Sequence, residues 1–102
     1  MVELLESKRE AIVNACVHYG VVRLHVFGSA LGDEFRAGHS DVDLLVAFGE
    51  MDSFDRIDAY FDMLDELRAL LGVDVDLVMV GAVKNRYILA DIERTKQLLY
   101  AA

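Results

Sequence analysis

Three short apolar runs alternate along this chain with longer segments in which apolar residues recur at helical spacing. Within the runs, apolar side chains either alternate with polar ones or continue unbroken, as they do in the strands of a sheet. The predicted strands cover residues 21–27, 42–48 and 73–80. The predicted helices cover residues 3–18, 53–71 and 84–100. This order predicts an α/β (α+β) fold, with a small mixed sheet of at least three strands and helices packed on it.

The first two predicted helices carry residues that are typical of helix ends. Gly20 and Gly72 follow them at the position where glycine commonly ends a helix, and Asp52 or Ser53 can cap the start of the second. The apolar face of the first helix is predicted to consist of Leu5, Ile12, Val13, Cys16 and Val17. The apolar face of the second is predicted to consist of Phe54, Ile57, Phe61, Leu64 and Leu71.

Length, charge and cysteine content restrict the classes of protein to which the chain can belong. Its 102 residues predict one domain over residues 1–102. A net charge of -8 argues against direct nucleic-acid binding and favours metal cations or a basic protein as partners. No apolar run approaches the roughly 18 residues that span a bilayer, and the N-terminus lacks the apolar stretch of a secretory signal. The single cysteine, Cys16, excludes an internal disulfide, so we expect a cytoplasmic protein.

The first predicted strand ends at Gly28-Ser29, a pair that is suited to phosphate binding. Glycine accepts backbone conformations in which amide groups approach a phosphate closely. The hydroxyl of Ser29 adds a donor for a phosphate oxygen. The polar segment 30–40 is predicted to be a loop, and a helical turn at its start would direct further free amides at an anion.

Aspartates mark the second and third predicted strands. Asp41 and Asp43 share one face of the second strand, and two neighbouring carboxylates repel one another unless a cation lies between them. Mg²⁺ prefers oxygen ligands and is often held by one or two carboxylates together with substrate phosphates. In the third strand, Asp76 has Asp74 two residues before it on the same face. A third carboxylate there can complete a metal site or accept the proton of an attacking hydroxyl.

Each of these motifs has a commoner structural interpretation when it occurs alone. A Gly-Ser pair is a turn in most proteins, and an Asp-x-Asp pair is more often a solvated strand edge or a cap. Their joint occurrence is more specific, because each lies at the strand position that phosphoryl-group chemistry requires.

The segment FGSALGDEFRAGHSDVDLLV resembles the signature of the polymerase-β-like nucleotidyltransferase superfamily, in which Gly-Ser is followed after a loop by Asp-x-Asp. The tail, VDLVMVGAVKNRYILADIERTKQLLYAA, is similar to the end of the minimal nucleotidyltransferases (MNT) of that superfamily. There, an aspartate in a strand precedes a Lys-Asn helix and an Ile/Leu-rich C-terminus. The resemblance extends from about Val21 to the end, and it implies the polymerase-β-like nucleotidyltransferase fold.

The resemblance also implies roles for individual residues. Gly28 and Ser29 would hold the triphosphate of ATP. Asp41 and Asp43 would bind Mg²⁺, and Asp76 would be the third carboxylate at the metal. Asp76 is preferred to Asp74 because it directly precedes the apolar LVMV run, as in the family.

The chain departs from the family pattern in two ways. Eleven residues, 30–40, separate the serine from the first aspartate, where the family usually has ten. An arginine that is common shortly after the Gly-Ser pair is absent, since Leu31 and Gly32 occupy that place. Arg36 is the candidate to replace it as a nucleotide-binding residue.

The function implied by the resemblance is transfer of AMP from ATP to a hydroxyl on a partner protein, with a tyrosine as the expected acceptor. The MNT family commonly accompanies HEPN-domain proteins, which are helical ribonuclease toxins, and the chain would be the antitoxin of such a toxin. Two alternatives stay open. One is a module that neutralises its partner by contact alone, and the other is an enzyme that modifies a small molecule such as an aminoglycoside.

The remaining reactive and charged residues have simple structural interpretations. Cys16 is predicted to be a core residue, and His39 is predicted to be an ordinary loop histidine. The basic residues of the last predicted helix indicate a solvated face, with a triphosphate contact or a partner surface as the alternative. They are Lys84, Arg86, Arg94 and Lys96.

Overall fold

The computed structural model describes residues 1–32 and 41–102. Its elements are α1 (Glu3–Ser7), α2 (Arg9–His18), β1 (Val21–Phe27), a 3₁₀ turn (Gly28–Leu31), β2 (Val42–Phe48), α3 (Ser53–Leu71), β3 (Val75–Met79), α4 (Arg86–Thr95) and β4 (Gln97–Ala101). The strands form a sheet in the order β3-β2-β1-β4. β1 is antiparallel to both β2 and β4, whereas β2 and β3 are parallel and joined through α3. The predicted mixed sheet with packed helices is confirmed.

The core lies between one face of this sheet and the helices α2 and α3. Leu24, Leu44 and Val46 of the sheet are fully buried there, together with Met63 and Leu67 of α3. Burial of this apolar face is the main stabilising contribution, at roughly 25 cal/mol per Å² of surface removed from water.

Cys16 belongs to the same core and is fully buried. Burial raises the pKa of its thiol to about 12, so the side chain stays protonated and apolar at neutral pH. The prediction that Cys16 is a packing residue is confirmed.

The first helix is not continuous over residues 3–18 as predicted, because it is interrupted at Lys8. Leu5 is buried, and the amide of Val2 donates to the carbonyl of Ala30 at 3.0 Å. These contacts attach the N-terminal turn to the segment after β1, so tertiary packing breaks the helix that local periodicity favours. Val17, which the periodicity places on the apolar face, is exposed.

The last segment contains a helix and a strand, so the predicted helix over residues 84–100 is wrong in its second half. Asn85 caps α4 by accepting hydrogen bonds from the amides of Tyr87 and Ile88. Lys96 is extended, and the apolar residues after it pair with the edge of β1 as β4. A strand there supplies hydrogen-bond partners to β1, which local sequence alone does not show.

The bounds of α3 agree with the prediction, but its buried face does not. Asp52 caps the helix by accepting from the amide of Asp55 at 2.8 Å, and Gly72 ends it at a φ of +68°. Leu64 and Leu71 are buried as predicted. The other three residues of the predicted stripe are exposed: they are Phe54, Ile57 and Phe61. The helix is turned so that Met63 and Leu67 face the sheet instead.

Within the described ranges, no helix combines the length and apolar character needed to traverse a lipid bilayer.

Candidate active site

The register of the sheet brings Asp43 and Asp76 together. Asp43 is the cross-strand neighbour of Phe27 at the end of β1 and also the neighbour of Asp76 on β3. Adjacent strands lie about 4.8 Å apart, so the two aspartates occupy neighbouring positions on the sheet. Gly28 follows Phe27 directly, and the predicted Gly-Ser turn therefore lies at the same corner.

Both aspartates point away from the core. Asp43 alternates with Val42 and Leu44, which are fully buried on the α3 side of the sheet. Asp76 is exposed between two buried residues of β3. Because side chains alternate along a strand, Asp43 and Asp76 share the face opposite α3. Asp41 is exposed just before β2.

The carboxylates influence one another electrostatically. The pKa of Asp43 is raised to about 6, first by partial burial and then by the negative charges of Asp76 and Asp41. Both effects disfavour the ionised form of Asp43. A positive charge placed among the three groups would remove this repulsion.

The side chain of Asp74 points in a different direction from that of Asp76. It lies before β3, and its carboxylate is 3.5 Å from Nε of Arg68 on α3. Its carbonyl accepts a hydrogen bond from the amide of Val42 at 2.9 Å. The expectation that the two aspartates share a strand face does not hold, because the carboxylate of Asp74 is directed towards Arg68 of α3. This geometry favours Asp76 as the neighbour of Asp43.

Gly28 contacts the Asp43 carboxylate in a way that leaves no room for a side chain. Its φ is +74°, in the left-handed region that favours glycine. A Cβ at this position would overlap Oδ2 of Asp43 and lie 3.3 Å from its Cγ. The 3₁₀ turn Gly28–Leu31 follows, and Ser29 within it is half-buried.

Replacing Gly28 with alanine should therefore lower the free energy of unfolding by more than backbone strain alone. Gly72→Ala is a matched control, since Gly72 also has a positive φ but a Cβ added there would meet no atom within 4 Å. The left-handed conformation costs each alanine about 1 kcal/mol, and the overlap with Asp43 should add roughly 1 to 3 kcal/mol at Gly28 only. Urea denaturation of the two variants measures the difference. Equal losses would show that Asp43 moves aside freely.

His25 lies on the same sheet face, two residues before Phe27, and the sequence alone gave it no partner. Its pKa is lowered by partial burial and by the positive charge of Lys96, which together outweigh the effect of Glu93. The imidazole is therefore neutral at pH 7 and does not offset the charge of the aspartates. The alternation of side chains along β1 indicates the position of His25 on this face.

Three of the four basic residues predicted for the last helix are held by local partners, as expected of a solvated face. Arg94 pairs with Asp91, and Nζ of Lys96 lies 2.7 Å from a carboxylate oxygen of Glu93. Lys84 donates to the carbonyl of Gly81 at 2.9 Å. Arg36 and His39 lie outside the described residues.

The donor set at this corner suits a hard cation such as Mg²⁺. Asp41, Asp43 and Asp76 offer only carboxylate oxygens, which are the ligands that Mg²⁺ prefers. Across residues 1–32 and 41–102, no three acidic, histidine or cysteine side chains are arranged to hold a metal ion unaided.

Comparison with known proteins decides the family. The model of the nucleotidyltransferase domain matches residues 9–99. The chain belongs to this family. This nucleotidyltransferase is 40% identical over 82 residues to a Methanocaldococcus jannaschii protein classed with the protein adenylyltransferases, covering 80% of this chain and 78% of that relative.

Solved structures show the same relationship. A minimal nucleotidyltransferase superposes on this one with a TM-score of 0.77 at 36% identity, covering 93% of this chain and 92% of the other. A chain from a Shewanella oneidensis complex of a tri-AMPylated HEPN toxin with an MNT antitoxin shares the fold, with a TM-score of 0.65 at 18% identity over 95% of this chain and 72% of that one. The resemblance to minimal nucleotidyltransferases and the predicted fold are confirmed.

Proposed function

We propose that this nucleotidyltransferase transfers AMP from ATP to a tyrosine hydroxyl of a HEPN-type helical protein and so acts as its antitoxin. The observation that carries the proposal is the position of Asp43, which lies between the Gly28 turn and Asp76. The protein adenylyltransferase relative supports the reaction type, and the structural neighbour from a toxin–antitoxin complex supports the kind of partner.

Gly28 and Ser29 would contact the triphosphate, because a residue without a Cβ leaves the backbone of the turn open beside Asp43. Asp41, Asp43 and Asp76 would hold Mg²⁺. When bound, the ion would neutralise the phosphates and orient the α-phosphorus for displacement. Arg36 would add a positive charge near the phosphates.

In the reaction, the tyrosine oxygen forms a bond to the α-phosphorus of ATP while the bond from that phosphorus to the bridging oxygen breaks. The proton of the hydroxyl passes to a carboxylate oxygen of Asp76, and pyrophosphate leaves from the Gly28–Ser29 turn. The contribution of the chain is mainly positioning and charge, as is usual for phosphoryl-group transfer.

Attachment of AMP gives the partner a bulky anion. If the modified tyrosine lies near the ribonuclease site, the added phosphate repels the phosphates of RNA and silences the toxin. The acidic composition of the antitoxin, with a net charge of -8, suits a basic partner.

A second candidate is neutralisation by contact without catalysis. It is favoured by Leu31 and Gly32, which occupy the place of the arginine common in the family. Transfer to a small molecule has no observation in its favour.

Mass spectrometry of a HEPN-domain protein from the same genome, co-expressed with this chain, tests the proposal. We expect a mass gain of one or more AMP units with the wild type and with Glu50→Gln, which changes an exposed acid at the far end of β2. We expect no gain with the Asp41→Asn/Asp43→Asn double variant. A partner that stays unmodified yet is bound and inhibited equally by all three proteins would leave only the contact mechanism.

A further inference from the structure

One flank of α3 carries a stripe of exposed apolar side chains. Phe54, Ile57 and Phe61 are 82%, 51% and 60% exposed. Their spacing places them on one face of the helix, along about two turns. Exposed apolar residues that cluster in this way, and are bordered by polar ones, commonly mark a protein interaction site.

Aspartates border the stripe on one side. Asp58 and Asp65 follow Phe54 and Phe61 by four residues and are therefore their neighbours on the helix surface. Asp62 extends the row, and all three are exposed. In the part of the chain that the structure describes, none of them forms an ion pair.

The arginines of α3 do not compensate this charge. Arg56 donates to the carbonyl of Met51 at 3.0 Å, and Arg68 pairs with Asp74. The helix therefore presents an apolar stripe beside a row of uncompensated negative charge.

The stripe and the aspartates of the active site belong to different sides of the sheet. α3 packs on the sheet through its buried residues, which include Met63, Leu64 and Leu67. Phe61 precedes Leu64 by three residues, so the stripe lies on the flank of the helix, next to the buried face. Asp43 points from the opposite face of the sheet. A partner docked on the stripe therefore has to extend around the sheet for its hydroxyl to meet Asp43.

We propose that this stripe is a docking surface for a basic amphipathic helix of the partner protein. Apolar side chains of that helix would cover Phe54, Ile57 and Phe61, and its lysines or arginines would lie against Asp58, Asp62 and Asp65. Apolar contact would supply the affinity, and charge complementarity would select the partner and its orientation. The inference rests on the proposed function, because it takes the docked protein to be the AMP acceptor.

Calorimetric titration with the purified HEPN-domain protein tests the docking surface. The Phe54→Ser/Phe61→Ser variant should weaken binding at least about tenfold, as expected for aromatic residues at the centre of an interface. Tyr87→Ser is the matched control, since Tyr87 is an aromatic residue that is 76% exposed on α4. It should bind within about twofold of the wild type. In AMP transfer, the stripe variant should raise KM for the partner and leave kcat unchanged.

A second variant keeps the stripe intact and changes only charge. Asp58→Lys/Asp65→Lys should weaken binding at low salt, and the difference from the wild type should shrink as salt screens the charges. Both positions are exposed, so the fold should tolerate the change.

The outcomes separate this inference from the proposed function. A partner that binds through the stripe but receives no AMP supports docking and contradicts the catalytic proposal. The docking proposal is overturned if both variants keep the affinity of the wild type or if the wild type fails to bind. It is also overturned if Tyr87→Ser loses as much affinity as the stripe variant. This chain could also associate with itself. If only the stripe variant abolished that self-association and its affinity for the partner were unchanged, the stripe would be assigned to a second copy and the docking proposal would be overturned.

Discussion

Asp43→Asn should lower the rate of AMP transfer by at least about a hundredfold, the usual effect of removing a group that stabilises charge in a transition state. The reason is its position, which adjoins both the backbone of Gly28 and Asp76. Asparagine keeps the size of the side chain but removes the negative charge that a cation requires. Affinity for ATP with Mg²⁺ should fall at least about tenfold, or 1.4 kcal/mol.

Titration calorimetry with ATP and Mg²⁺, together with single-turnover transfer to the partner, measures the two effects. Asp74→Asn is the control, because Asp74 is nearby in sequence but pairs with Arg68. It should retain most of the activity. Equal ATP affinity in the wild type and in Asp43→Asn would remove Asp43 from the metal site, whatever happens to the rate.

Although it lowers activity, the same substitution should maintain or raise the free energy of unfolding at neutral pH when metal is absent. The pKa of Asp43 is raised from 3.8 to about 6 by burial and by its acidic neighbours. The folded state therefore holds the proton more tightly than the unfolded state, and the free energy of unfolding falls as pH rises from about 4 to about 6. Above that range, the ionised Asp43 destabilises the fold by about 1 kcal/mol, after a discount for its partial exposure to solvent.

Urea denaturation in EDTA between pH 4 and pH 7 tests this effect. The wild type should lose stability across the range, and Asp43→Asn should lose less, so that at pH 7 the variant is equally stable or more stable. Gain in stability with loss of activity is typical of a functional site. A loss above roughly 2 kcal/mol in Asp43→Asn would instead indicate a structural hydrogen-bonding role.

The local sequence predicted those helices and strands whose own side-chain pattern is sufficient to determine them. The bounds of β1, β2 and α3 agree with the prediction, because each apolar pattern is followed directly by a glycine: Gly28, Gly49 or Gly72. It failed where a distant segment decides the structure. β4 is a strand because β1 has an edge to be paired, and α1 is separate from α2 because the N-terminal turn packs near Ala30.

The orientation of α3 illustrates a related limit. Its sequence contains two adjoining apolar faces, one with Met63 and Leu67 and one with Phe54 and Phe61. Periodicity identifies a helix in either case, but only the sheet beneath it determines which face is buried. The face that periodicity wrongly places in the core is the one that we propose as a docking surface.

For the candidate site, the sequence correctly placed Asp43 and Asp76 in strands, but it could not show that these strands are neighbours or what the side chains contact. The ion pair of Asp74 with Arg68 depends on where α3 ends, and the approach of Gly28 to Asp43 depends on cross-strand register. The roles of all the predicted site residues stay predictions: they are Gly28, Ser29, Arg36, Asp41, Asp43 and Asp76.

The pairing of β1 has a consequence for the order in which the molecule is assembled during synthesis. The strand that leads into Gly28 is flanked on one side by β2 and on the other by β4, and Arg23 lies opposite Ala101. On the ribosome, the aspartates and the glycine turn emerge well before the residues of β4. The corner therefore gains its full backbone support only after the last strand has been translated, since non-local pairing must wait for both partners.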